Sequence, residues 1–162
     1  MTQDFSDDRS ECYNHYYEID TDTWRICKDV EVNDHTYIAT DLAYNPADGL
    51  VYGSFYNEGI NGFNFASFDP ETLDYDIIAA IPDQMRYLAI TADNNGNIYA
   101  ISEAGDFLSV DPDTGAETIM APTGVTPAPY MQSMTWDNAS GMIYWVAVTD
   151  NGNSLYLINP AD

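Results

Sequence analysis

Two charged residues, Asp41 and Arg86, occupy positions in this chain where a charge could do chemistry. Asp41 lies on a predicted strand at a level where the equivalent strands carry Ala89 and Ser133. Arg86 is one of only four Lys and Arg residues and precedes another predicted strand. If the predicted strands surround a channel and Asp41 faces Arg86 at its mouth, the two side chains could bind an anionic or hydroxyl-rich ligand through charge-assisted hydrogen bonds. The alternative, which the excess of acidic residues favours, is a structural arginine–carboxylate pair that holds neighbouring repeats of the fold together.

Four further residues complete the predicted binding site: Tyr37, Tyr87, Tyr130 and Glu103. The tyrosine rings are flat amphipathic surfaces of the kind that hold sugars, although aromatic rings also fill the space between sheets. Asp41, Asp83 and Glu103 are candidates for the carboxylate pair of a glycosidase or lyase, which is the alternative function. Because 27 acidic residues produce such pairs by chance, we expect a non-catalytic module that binds a glycan or a protein.

The sequence contains none of the common catalytic or cofactor motifs. There is no Gly-x-Ser-x-Gly, no His-Glu-x-x-His and no phosphate-binding glycine loop. The stretch DNNGN, residues 93–97, resembles the first half of a calcium-binding EF-hand loop, but the twelfth position of that loop is Ala104 instead of Glu. We therefore predict a hairpin turn at this stretch and no cofactor, while a calcium ion at some turn has no predicted position.

The charge balance limits the partners. The formal net charge is -23, and such a field repels phosphate backbones and anionic membrane surfaces. No run of 18 apolar residues occurs, so we expect no membrane insertion. The acidic start, MTQDFSDDRSEC, lacks the basic and apolar parts of a signal peptide. Cys12 and Cys27 are expected as free, partly buried thiols, because hairpin register places them out of step, although their redox state stays open.

The elements that must position these residues are revealed by internal repetition. A Gly followed by two residues and a Tyr recurs at residues 49–52, 96–99 and 141–144. A second motif closes strands with Asp-Pro or Asn-Pro at residues 69–70, 111–112 and 159–160, and DTDT at residues 20–23 is a fourth copy without proline. Asn, Asp and Gly tolerate positive φ and Pro presets a turn, so short alternating strands must lie between these motifs.

Four antiparallel strands per repeat are typical of β-propeller blades. We predict an all-β fold with about three blades, and a two-sheet sandwich is the structural rival. An acidic tail spans residues 1–12, followed by a partial blade at 13–32, blades at 38–81 and 87–121, and a last blade at 131–159 without its outer strand. The predicted strands cover residues 13–19, 25–32, 38–45, 50–56, 62–68, 74–80, 87–92, 97–102, 106–110, 116–120, 131–137, 142–149 and 154–158.

The stretches YNPADGLVYG, DNNGNIYAIS, FLSVDPDTG and LYLINP resemble YVTN-type and quinoprotein-like propeller repeats. The likeness is strongest to propeller domains of secreted or surface proteins of Bacteroidetes. It implies a propeller architecture and an extracellular or cell-surface location, while propellers host unrelated functions. The Trp that follows the Thr-Gly turn in quinone-binding blades is absent after Gly115, where Ala116 stands instead, so we expect no quinone.

About three blades do not close a ring, because closed propellers need about four or more. The chain could be a fragment of a larger propeller, a short arc capped by its own N-terminal tail, or half of a dimeric six-bladed ring. In the dimer, residues 25–32 of one copy would complete the last blade of the other. We expect self-association, since open strand edges and apolar faces require cover.

Overall fold

The computed structural model describes residues 2–5, 12–32, 39–57, 59–81, 86–129 and 132–161. Every regular element in these ranges is a β-strand, which confirms the all-β prediction. The described residues form fourteen strands. All of them except the first match a predicted strand to within two residues at each end. The strands are β1 (Thr2–Phe5), β2 (Cys12–Asp20), β3 (Arg25–Val32), β4 (Ala39–Tyr44), β5 (Val51–Asn57), β6 (Gly62–Phe68), β7 (Tyr75–Ala80), β8 (Tyr87–Ala92), β9 (Ile98–Ser102), β10 (Asp106–Val110), β11 (Glu117–Pro122), β12 (Ser133–Asp137), β13 (Met142–Thr149) and β14 (Gly152–Ile158).

The chain divides into two compact units, Met1–Ile38 and Ala39–Asp162. In the first unit, β1, β2 and β3 form an antiparallel sheet in that order, which we call the first sheet. The predicted hairpin is confirmed, because Asp20 pairs with Arg25 across the turn. Cys27 is a free thiol, as expected, but it is exposed and not partly buried.

The second unit contains three antiparallel sheets in its described residues, with strand orders β4–β7, β8–β11 and β12–β14. We call them the second, third and fourth sheets. Their first strands, β4, β8 and β12, are the inner strands and lie beside one another. The Thr40 hydroxyl of β4 donates to the Tyr87 carbonyl of β8 at 2.7 Å, and the backbone N–H of Gln132, before β12, donates to the Leu88 carbonyl of β8 at 3.1 Å.

The second repeated motif forms the same turn in three places, with proline after Asp69 and Asp111 and without it after Asp20. The carboxylates of Asp20, Asp69 and Asp111 each accept hydrogen bonds from the backbone N–H groups two and three residues later. In each turn the fourth residue after the Asp has positive φ, at Trp24, Leu73 and Gly115. The turn therefore depends on the Asp cap and tolerates non-Gly residues at the left-handed position.

The core lies between consecutive sheets. One cluster contains Tyr52 and Phe65 of the second sheet with Ile90 and Leu108 of the third. The other joins Tyr99 of the third sheet to residues of the fourth, including the fully buried Trp145 and Ile143. Within the second unit, the third sheet thus covers apolar faces of both the second and the fourth, as expected for stacked repeats.

One assignment goes beyond the sequence prediction. Residues 2–5, placed in the acidic tail, form β1 and pair with β2, with Thr2 opposite His15. Composition does not reveal this strand, because it is defined by its backbone pairing with β2. Residues 13–32 lie within the first compact unit, Met1–Ile38. In the described residues, no helix is long and apolar enough to span a membrane.

Candidate functional site

Arg86 is held by contacts within the protein. Its Nε lies 2.6 Å from Oε1 of Glu103, but the N–H does not point at that oxygen, so the contact is an ion pair and not a hydrogen bond. Nη2 donates to the carbonyl of Pro129, and Cζ lies 5.9 Å from the ring centre of Phe63. The carboxylate beside Arg86 is therefore Glu103 and not Asp41. Arg86 directly precedes β8 and Glu103 directly follows β9 of the same third sheet, whereas Phe63 belongs to the second sheet.

Asp41 lies where the three inner strands meet. Its Oδ2 accepts a hydrogen bond from the Ile90 amide of β8 at 3.0 Å, and the Ser133 hydroxyl of β12 lies 3.5 Å from Oδ1. Burial raises the pKa of Asp41 to about 6, although hydrogen bonds from the Ile90, Leu42 and Met134 backbones oppose the shift. The carboxylate therefore ties β4 to both neighbouring inner strands at a cost in desolvation.

The raised pKa of Asp41 predicts a pH dependence of stability. A carboxyl that binds its proton more tightly in the folded state adds stability below about pH 4, and this is lost as the pH rises through about 6. We expect Asp41→Asn to flatten the fall in unfolding free energy between pH 4 and 7, measured by urea unfolding. Asp137→Asn is the control, because hydrogen bonds from Ser140 and Ala139 lower the pKa of Asp137. Equal profiles for wild type and Asp41→Asn would contradict this.

Tyr87, the one predicted tyrosine within the described residues, is not part of a site with these charges. Tyr87 is 1% exposed, its hydroxyl donates to Oε1 of Glu117 at 2.7 Å, and its ring packs edge-on against Phe65. It belongs to the core, where no ligand reaches it. The predicted residues that lie outside the described ranges are Tyr37, Asp83 and Tyr130.

A cavity opens at the far ends of the inner strands, which the sequence prediction does not include. We call it the inner cavity, and its volume is about 350 Å³. Each inner strand contributes three consecutive residues and each following turn contributes one. The lining residues are Leu42, Ala43, Tyr44, Pro46, Ile90, Thr91, Ala92, Asn94, Met134, Thr135, Trp136 and Asn138. A sequence signal existed, since Tyr44, Ala92 and Trp136 fall at the same level of the aligned repeats.

The carboxylates of the three turns at this cavity are bound within their own turns. Asp48 accepts from the Asn45 amide, the Leu50 backbone and the Tyr52 hydroxyl. Asp93 accepts from the Asn95 and Asn97 backbones and from the Asn97 side chain. Asp137 accepts from the Ala139 backbone and the Ser140 hydroxyl. The DNNGN stretch is thus the predicted hairpin turn. Over the described ranges, no group of three or more His, Cys, Asp or Glu residues could hold a metal ion.

The fourth sheet ends at β14, which pairs only with β13 among the described strands. Beside it lies a groove of about 270 Å³, lined by β11, the chain that follows it, and β14, and including Met120, Trp145 and Tyr156. In the second and third sheets, a fourth strand pairs with the third strand: β7 pairs with β6, and β11 pairs with β10. Leu155 and Leu157 of β14 are 64% and 54% exposed, so this end of the unit presents an apolar surface.

Comparison with known proteins identifies the fold. No family model matches the chain, and no curated protein matches its sequence. A nidogen/laminin complex structure is similar with a TM-score of 0.67 and 13% identity, covering 92% of this chain and 54% of that one. TolB from Acinetobacter baumannii has a TM-score of 0.57 and 15% identity, covering 98% and 40%.

The extracellular domain of a putative one-component system from B. thetaiotaomicron is also similar, with a TM-score of 0.52 and 14% identity over 96% of this chain and 21% of that one. This chain therefore spans about half, or less, of each protein. At these identities the likeness concerns the fold alone, and it provides no support for the YVTN type in particular. The chain has an all-β, propeller-like fold.

Proposed function

We propose that this chain is a non-catalytic binding module of an extracellular propeller protein. The observation that carries the proposal is the contrast between its charged and uncharged sites. Asp41 and Glu103 have partners within the protein, whereas the inner cavity is lined by uncharged side chains that include two aromatic rings and two amides. Such a cavity can hold a ligand, but the described residues that line it offer a reaction no carboxyl, imidazole or amine group.

Two similar structures support this proposal by what they contain. One is a complex of nidogen with laminin, so that protein takes part in a protein complex. Another is an extracellular domain of a putative one-component system. For this chain, we correspondingly propose binding of a partner or ligand and a location outside the cell.

Within the described residues, the candidates for the carboxylate pair of the enzyme alternative are Asp41 and Glu103. We expect wild type to turn over no substrate in a panel of oligosaccharides and uronic-acid polymers, monitored for new reducing ends and for the ultraviolet absorbance of lyase products. Turnover that is lost in Asp41→Asn or Glu103→Gln would overturn the non-catalytic proposal. Turnover unaffected by either change would place catalysis elsewhere and overturn it equally.

Self-association through the fourth sheet is a further part of the proposal. One edge of β14 pairs with no other described strand, and Leu155 of this strand is exposed. We expect β3 of a second copy to pair with this edge, because β3 follows the same turn as the outer strands β7 and β11. We expect sedimentation velocity to show a dimer that Leu155→Lys dissociates. Ile119→Lys is the matched control, since both side chains are 64% exposed. A wild-type monomer at all concentrations, or a dimer that Leu155→Lys leaves intact, would contradict this interface.

A further inference from the structure

We propose that the inner cavity binds an uncharged carbohydrate ring, with Tyr44 and Trp136 as its aromatic surfaces and Asn94 and Asn138 as its polar rim. This inference rests on the proposed binding function and adds the ligand class and the site. It places the ligand at the opposite end of the inner strands from Arg86 and Glu103.

The first argument is charge. The formal net charge of the chain is -23, yet none of the described residues that line the cavity is charged. The nearest turn carboxylates, those of Asp48, Asp93 and Asp137, already accept two or three hydrogen bonds each within their turns. An anion would meet the negative field of the whole chain without a cation to pair with. A cation would find no carboxylate among the described residues that line the cavity, so a neutral ligand fits best.

The second argument is the arrangement of the aromatic rings. Tyr44 is 58% exposed, although aromatic rings of soluble proteins are usually covered. Trp136 is fixed from two sides: its ring stacks on Tyr99 with centroids 6.4 Å apart and planes 14° apart, and its backbone N–H donates to the Thr91 hydroxyl at 3.0 Å. A ring held in place before the ligand arrives lowers the ordering cost of binding.

The third argument is the polar rim and the size. Asn94 and Asn138 occupy the same position in two repeats, directly after the turn carboxylates Asp93 and Asp137, and both side chains are exposed. Each amide can donate to one sugar hydroxyl and accept from another. The volume of about 350 Å³ lies near the lower end of small-molecule sites, roughly 300–1,000 Å³. A mono- or disaccharide fits this space, whereas a folded protein surface does not enter it.

The experiment titrates the full chain with cellobiose, maltose, xylobiose, mannobiose and N,N′-diacetylchitobiose, and with digalacturonate as the charged counterpart. Binding is followed by calorimetry and by the indole N–H signals in ¹H–¹⁵N spectra. We expect at least one neutral disaccharide to bind, to shift the Trp136 signal, and to bind more tightly than digalacturonate. The Trp136 signal is assigned as the one that disappears in Trp136→Phe.

The variants separate the site from the rest of the surface. We expect Tyr44→Ala to weaken binding about tenfold or more, as loss of an aromatic contact worth about 1.4 kcal/mol would do, and Asn138→Ala to weaken it less. The controls are Trp24→Ala, an 81% exposed ring in the first unit, and Asn151→Ala, an exposed amide outside the cavity. No neutral sugar bound, or binding that Tyr44→Ala leaves intact, would overturn this inference while the non-catalytic proposal stands. Turnover of a disaccharide would overturn the proposed function instead.

Discussion

Replacement of Trp145 by alanine is expected to lower the free energy of unfolding by about 3–5 kcal/mol, the usual cost of removing a fully buried large aromatic side chain. Trp145 is 0% exposed and belongs to the cluster between the third and fourth sheets. Its ring centre lies 5.4 Å from that of Tyr156. Denaturant unfolding followed by far-ultraviolet circular dichroism measures the change.

The indole N–H of Trp145 adds a polar contribution to this effect. It donates to Oε1 of Gln132 at 3.0 Å, and Nε2 of Gln132 donates to the carbonyls of Ala128 and Val148. The network joins the loop before β12 to β13. Trp145→Phe keeps an aromatic ring but leaves the buried Gln132 oxygen unpaired, so we expect a smaller loss of about 1–3 kcal/mol.

Trp24→Ala is the control for the size of the side chain, because Trp24 is 81% exposed. Its effect should stay within about 0.5 kcal/mol, as for most surface substitutions. If Trp145→Ala were as mild as Trp24→Ala, the fourth sheet would not be packed on the third in the way described.

Gly105→Ala is expected to be nearly as damaging, with a loss of about 2–5 kcal/mol from a left-handed backbone and a steric clash together. Gly105 has φ +84°, and a Cβ there would lie 2.3 Å from the carbonyl oxygen of Val125. The turn cannot easily shift away, because the Gly105 carbonyl accepts from both the backbone N–H and the hydroxyl of Thr123.

Gly124→Ala isolates the contribution of the clash. Gly124 has φ +71°, yet a Cβ added to it would meet no atom within 4 Å. It should therefore show only the left-handed penalty of about 1–2 kcal/mol. Thermal unfolding of the two variants side by side measures the difference, and equal midpoints would show that the loop after β11 moves aside.

Local turn chemistry explains why the strands could be predicted closely. Gly62–Phe68, Asp106–Val110 and Met142–Thr149 have the predicted bounds, because Asn, Asp, Gly and Pro mark both ends of such runs. Strand β1 was beyond this reasoning, since its four residues carry no turn signal of their own and are defined by pairing with β2.

The candidate site was less predictable, because it depends on contacts between distant residues. Nothing near Tyr87 in sequence reveals that Glu117, thirty residues later, accepts its hydroxyl. The pairing of Arg86 with Glu103 likewise depends on how the turn after β9 folds back. The inner cavity could have been found from the aligned repeats, where Tyr44 and Trp136 share a level that carries no charge.

The placement of the two core clusters affects how the second unit comes apart. One cluster lies between the second and third sheets and the other between the third and fourth. Loosening of the fourth sheet therefore exposes the second cluster and leaves the first covered. Partial opening from the β14 end should precede full denaturation, so amide hydrogens of β12–β14 exchange with solvent sooner than those of β8 and β9.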